Sequence, residues 1–232
     1  MTAVMILALI AHMQDVSLNV AQRNDACYEL RGVSTPEAVA SMRQALADPV
    51  VRPCAGLNLR TVEAIHQLKN ALADPDFEVR AIAVRLLGAF EKPELLPVIA
   101  SATRDPQLLV ATNAVEGLAN YHDADLVVPY LLDIAKGGGL VGEAALNRAL
   151  ALRDPRAIPV ARSLLTHSDV SDKLAGMRVL AQLGDASDLP TLQKIVKDDA
   201  GTVAGQSRGF GLVPAISLSR AAQTTIAAIE QR

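Results

Sequence analysis

The chain has no tryptophan and only three tyrosines and three phenylalanines among its 232 residues. Single-stranded nucleic acid is held by stacking on aromatic platforms and a phosphate backbone by clustered Lys and Arg, and a net charge of −3 supplies neither. Nucleic acid is therefore not an expected partner. The two cysteines form no Cys-x-x-Cys and have no histidine pair nearby, which excludes the common zinc and dithiol motifs. The apolar run Ala3–Ala11 is far below the roughly 20 residues a membrane-spanning helix needs, so no membrane span is expected. Strand signals are essentially absent. No His-Glu-x-x-His occurs, and no catalytic residue, metal ligand set or cofactor is assigned.

What is present is a beat. Pro97, Pro129, Pro159 and Pro190 recur 32, 30 and 31 residues apart, each directly after an aliphatic residue. A period near 30 suits a two-helix unit, which cannot bury its apolar face alone and must stack on copies of itself. A step of 31 also aligns Ala83, Ala114, Ala145 and Gly176, small residues where neighbouring helices would approach closely. The next position is apolar each time (Val84, Val115, Leu146, Met177), and Leu87, Leu118, Ala149 and Leu180 complete an i, i+4 stripe. A more polar column, Arg85, Glu116, Asn147 and Arg178, reads as a solvent-side or inter-helix hydrogen-bonding ladder.

One unit runs Asp74-Pro75-Asp76-Phe77-Glu78-Val79-Arg80-Ala81-Ile82-Ala83-Val84-Arg85-Leu86-Leu87-Gly88, then a turn through Lys92-Pro93, then a second helix containing Pro97. Asp74 is expected to cap the first helix, with Pro75 in its first position. The pattern Asp-Pro-x-x-x-Val-Arg-x-x-Ala-x-x-x-Leu-Gly resembles the HEAT and HEAT-like repeat family, from about Ser34 to at least Val196. That resemblance implies an all-α fold, a right-handed α-α superhelix of about five to six stacked hairpins. The chain departs from the pattern in two ways. The Arg80 column continues as Ala111, Gly142 and Lys173, which would leave a stacked Asp and Arg ladder incomplete, and Lys136-Gly137-Gly138-Gly139 replaces an Asp-Pro turn.

Residues 1–21 read as a signal peptide or an apolar N-terminal segment, and 22–232 as a single solenoid. Within it, 22–46 forms an N-terminal cap, 198–211 a Gly-rich loop and 212–232 a C-terminal capping helix. Cys27 and Cys54 flank the first hairpin; they are read as a disulfide clamp in a secreted or periplasmic protein, or as two buried thiols in a cytoplasmic one. The Gly-rich loop lacks the Gly-Lys-Ser or Gly-Lys-Thr and the preceding strand of a phosphate loop; Arg208 and Phe210 would be its contact residues.

The di-iron hydroxylases of this fold carry His-Glu dipeptides, whereas His12, His66, His122 and His167 are followed here by Met, Gln, Asp and Ser. The expected function is a monomeric, non-catalytic scaffold that binds another protein or peptide on a concave face lined by second helices. His66, Lys69, Arg104, Lys136, Arg162 and Lys194 are its candidate contacts. A bilin-lyase-like enzyme and a self-assembling structural module are the alternatives.

Overall fold

The computed structural model of the protein describes residues 1–198, 202–203 and 216–232. Arg208, Phe210 and most of the Gly-rich stretch lie outside the described residues, as does the start of the expected C-terminal helix. The chain divides into two compact units, Met1–His122 and Asp123–Arg232.

The first unit holds α1 (Ala3–Gln14), α2 (Val20–Glu29), α3 (Pro36–Ala45), α4 (Arg52–Thr61), α5 (Ile65–Ala71), α6 (Phe77–Gly88), α7 (Leu96–Ala102) and α8 (Leu108–Ala119). The second holds α9 (Ala124–Ala135), α10 (Gly139–Ala151), α11 (Ala157–Leu164), α12 (Val170–Leu183), α13 (Leu189–Asp198) and α14 (Leu218–Glu230). Strand structure among the described residues is one antiparallel pairing of Thr202 with Ser217 and Val203 with Ile216. The fold is all-α. Consecutive helices pair as hairpins, and the even-numbered helices pack on one another in chain order in each unit. Among the described residues the helices form seven pairs, Ala3–Gln14 being itself a helix paired with α2.

The small column is buried along its length. Ala83, Ala114 and Ala145 are fully buried. A Cβ on Gly176 would stand 2.5 Å from the Ala161 carbonyl oxygen, so α12 and α11 approach backbone to backbone there. The closest approach of α6 to α8 lies at Gly88 and Gly117, where a Cβ on Gly88 would meet the backbone of Gly117 on three atoms. Val84, Val115, Leu146 and Met177 are buried beside the small column, as are Leu87, Leu118, Ala149 and Leu180.

The four prolines lie exposed on the odd-numbered helices. Pro97 and Pro190 follow a 3-10 turn (Pro93–Leu95 and Ala186–Asp188) and sit in the first helical turn, where no intrahelical N–H bond is lost. Pro159 is the third residue of α11. Pro129 differs: it lies inside α9, because that helix starts a turn earlier from its Asp123 cap.

The helix cap of the Asp-Pro turn sits two residues later than expected. Asp74 Oδ1 accepts the Asp76 N–H at 3.0 Å, and Asp76 in turn caps α6 by accepting the Glu78 N–H at 2.9 Å. At the N-terminus, Thr35 caps α3 with Pro36 in the first position, and Val39, Met42 and Leu46 are buried. Cys27 on α2 and Cys54 on α4 form a disulfide across a separation of 27 residues, and the buried Asn58 amide donates to the Cys27 carbonyl at 2.9 Å.

Candidate functional site

The Asp-Pro turns do two jobs at once. Asp48, Asp74, Asp105 and Asp154 each use Oδ1 to accept the N–H two residues on, at 2.9 to 3.0 Å. The second carboxylate oxygen is then available to a guanidinium. Arg23 on α2 reaches Asp48, Arg43 reaches Asp74, and Arg80 on α6 grips Asp105 through Nε at 2.7 Å and Nη2 at 3.1 Å. Arg80 also donates to the Asp74 carbonyl at 2.8 Å, which ties one turn to the next. The Arg80 guanidinium holds the Asp105 carboxyl below its ordinary range, and Arg156 does the same to Asp154.

The Arg ladder breaks where the sequence breaks it. Ala111 is buried, and Gly142 lies against the last carbonyls of α9, with a Cβ there 3.2 Å from the Ala135 oxygen. A side chain at Gly142 would have to push the end of α9 away by a few tenths of an ångström. The turn at Gly137, Gly138 and Gly139 lacks an Asp, yet the α10 N-terminus is not left bare. Asp172 on α12 accepts the Gly139 N–H at 2.7 Å with Oδ1, while Oδ2 pairs with His167 Nδ1 at 2.8 Å. Gly138 has φ +63°, and any Cβ there would collide with the Asp172 carboxylate. The glycines are the space into which a neighbouring repeat's carboxylate fits. Sequence reading missed this clasp because its partners lie 33 residues apart in different hairpins.

The expected contact residues fall as follows. His66 and Lys69 are exposed on α5, with His66 Nδ1 3.3 Å from the Asn70 amide. Arg104 is exposed just beyond α7. Lys136 caps the C-terminal end of α9 and lies 3.7 Å from Asp133. Cations there complement the negative helix end. Arg162 is committed to the fold: it donates to Asp188 at 2.6 and 3.2 Å and to the Ser187 hydroxyl at 3.0 Å. In the polar column, Arg178 donates to Asn147 at 2.8 Å and Glu143 at 3.0 Å, while Arg85 and Glu116 are exposed. His122 is exposed after α8, and among the described residues no group of three His, Cys, Asp or Glu is placed to hold a metal ion.

Lys194 lines a cleft in the second unit, of about 330 Å³. The end of α11 contributes Leu165 and Thr166, the entry to α12 contributes Ser168, Val170 and Lys173, and α13 contributes Thr191, Lys194, Ile195 and Asp198. Leu218 at the start of α14 closes it.

Residues 65–151, spanning α5 to α10, match the family model of HEAT repeats. This part of the chain carries HEAT repeats. No curated protein matches it. Solved structures similar to it include human deoxyhypusine hydroxylase in complex with glycerol, at 18% identity over 98% of this chain and 96% of that one, with a TM-score of 0.44. The complex of CpcE and CpcF of phycocyanin lyase from a Nostoc species aligns at 18% identity over 97% and 94%, with a TM-score of 0.42. Computationally designed armadillo repeat proteins for modular peptide recognition align at 14% identity over 97% and 99%, also with a TM-score of 0.42. At this level of likeness, the activities of these proteins do not transfer to the HEAT-repeat chain.

Proposed function

We propose that this HEAT-repeat chain is a non-catalytic scaffold that binds another protein or peptide through the outward faces of its odd-numbered helices. The observation that carries this is a set of exposed cations on the odd-numbered helices. Arg23, Arg52 and Arg80 on the even helices are drawn into bonds with neighbouring turns and helices. His66, Lys69, Lys136 and Lys194 on the odd helices stand exposed. Within each unit, stacked hairpins repeat such a face, which suits an extended partner. The disulfide supports a protein that works in an oxidising compartment outside the cytoplasm.

The test is affinity capture from the native organism's extract with crosslinking and mass spectrometry, repeated with Lys69→Glu, Lys136→Glu and Lys194→Glu combined. A protein partner crosslinked to odd-helix lysines and lost in the triple variant supports the reading. Crosslinks confined to the even helices, or only between copies of the chain, overturn it.

A further inference from the structure

The cleft of the second unit has more donors than acceptors. Its floor is aliphatic, with Leu165 and Leu218 buried and Val170 and Ile195 half-buried. Around that floor stand the ammonium groups of Lys173 and Lys194 and the hydroxyls of Ser168 and Thr191. None of these four makes a side-chain hydrogen bond or ion pair among the described residues. Among the described residues the lining holds one carboxylate, Asp198, against the two ammonium groups. An occupant must therefore bring acceptors and negative charge together with an aliphatic part.

Size narrows the class further. At about 330 Å³ the space lies at the low end for a small-molecule site and takes one or two side chains. Thr166, Ser168, Thr191 and Lys194 are exposed at its rim, so a chain seated in it can continue over the surface. The clasp of His167 to Asp172 anchors the α11–α12 connection between Thr166 and Ser168, which presents this edge of the cleft from a fixed backbone.

We propose that this cleft anchors an acidic segment of a partner protein, seating a Leu or Ile side chain on the floor and an adjacent Glu or Asp carboxylate against Lys173 and Lys194. The proposal rests on the scaffold reading and locates one of its contact points. It is tested on the full chain with a fluorescent, end-capped Gly-Glu-Leu-Glu-Leu-Gly peptide and its Gln-for-Glu counterpart, by anisotropy at low salt. The acidic peptide binds, and the Gln peptide binds at least about tenfold more weakly, the scale of a lost charge-assisted contact. Combining Lys173→Gln with Lys194→Gln produces a similar loss without changing the thermal melt, while Lys197→Gln, outside the cleft lining, changes affinity less than about twofold.

Equal binding of the Gln peptide, or undiminished binding by the double variant, overturns the assignment. If a captured partner depends on Lys69 and Lys136 but not on the double variant, the cleft assignment falls and the scaffold reading stands. If the acidic peptide binds through Lys173 and Lys194 while capture yields no protein partner, the cleft stands and the scaffold reading falls.

Discussion

Replacing Gly88 by alanine tests the close packing of the even helices. The added Cβ would lie 2.9 Å from both the carbonyl carbon and the carbonyl oxygen of Gly117, and closer still to its Cα. Ordinary contacts between such atoms sit near 3.5 to 4.0 Å, so α6 and α8 must separate by roughly 1 Å or more to clear the Gly117 Cα. All three obstructing atoms are backbone, and no rotamer can move them aside. Overpacking of this kind costs about 1–3 kcal/mol, and the helix preference for Ala over Gly returns little at the last residue of α6. A net loss of about 2 kcal/mol would lower Tm by about 4–8 °C for a chain of this size.

Gly56→Ala is the matched control. It too adds a methyl inside a helix, but its Cβ would meet the tip of the Leu86 side chain at 3.4 Å, an ordinary contact with a group that can move. That variant is expected to be neutral, or more stable by up to about 1 kcal/mol. Circular dichroism melts and urea titrations of the two variants make the comparison. If Gly88→Ala is as stable as Gly56→Ala, the close approach of α6 and α8 is not what holds this layer.

Three further outcomes follow from the same geometry. A double-mutant cycle between Arg80→Ala and Asp105→Asn, read by urea denaturation, should give a coupling of about 1 kcal/mol. Because the guanidinium lowers the folded-state pKa of Asp105, that coupling is fully present above about pH 4 and is lost as pH falls through the depressed value. Burial raises the Tyr121 phenol to about 12, and its hydroxyl donates to the Lys92 carbonyl at 2.8 Å. In an ultraviolet titration this tyrosine should ionise late, and the stability it contributes is present below about pH 10 and lost as pH rises toward 12. Thiol titration under non-reducing, denaturing conditions should find no free cysteine, and Cys27→Ser with Cys54→Ser should cost about 3–4 kcal/mol by loop-closure entropy; two titrating thiols would refute the bridge and remove the main support for an extracytoplasmic role.

The sequence by itself determined the hairpin period, the all-α class and the buried columns. Stacking requires a small residue wherever helices come close and an apolar one beside it, and Ala83, Ala114, Ala145 and Gly176 with their neighbours write that requirement at a constant step. It also located the broken ladder, since an Arg column that runs through Ala111 and Gly142 cannot donate.

Tertiary structure alone decided which polar groups meet. Arg162 looked like a free surface cation and is instead spent on Asp188, because the 3-10 turn after α12 brings that carboxylate within 2.6 Å. The glycines after Lys136 looked like a lost turn and are the room made for Asp172. Lys173 and Lys194 share a cleft only because α12 and α13 converge beside α11 and α14. Periodicity reports which face of a helix is buried, whereas side-chain partners depend on where the neighbouring helices come to rest.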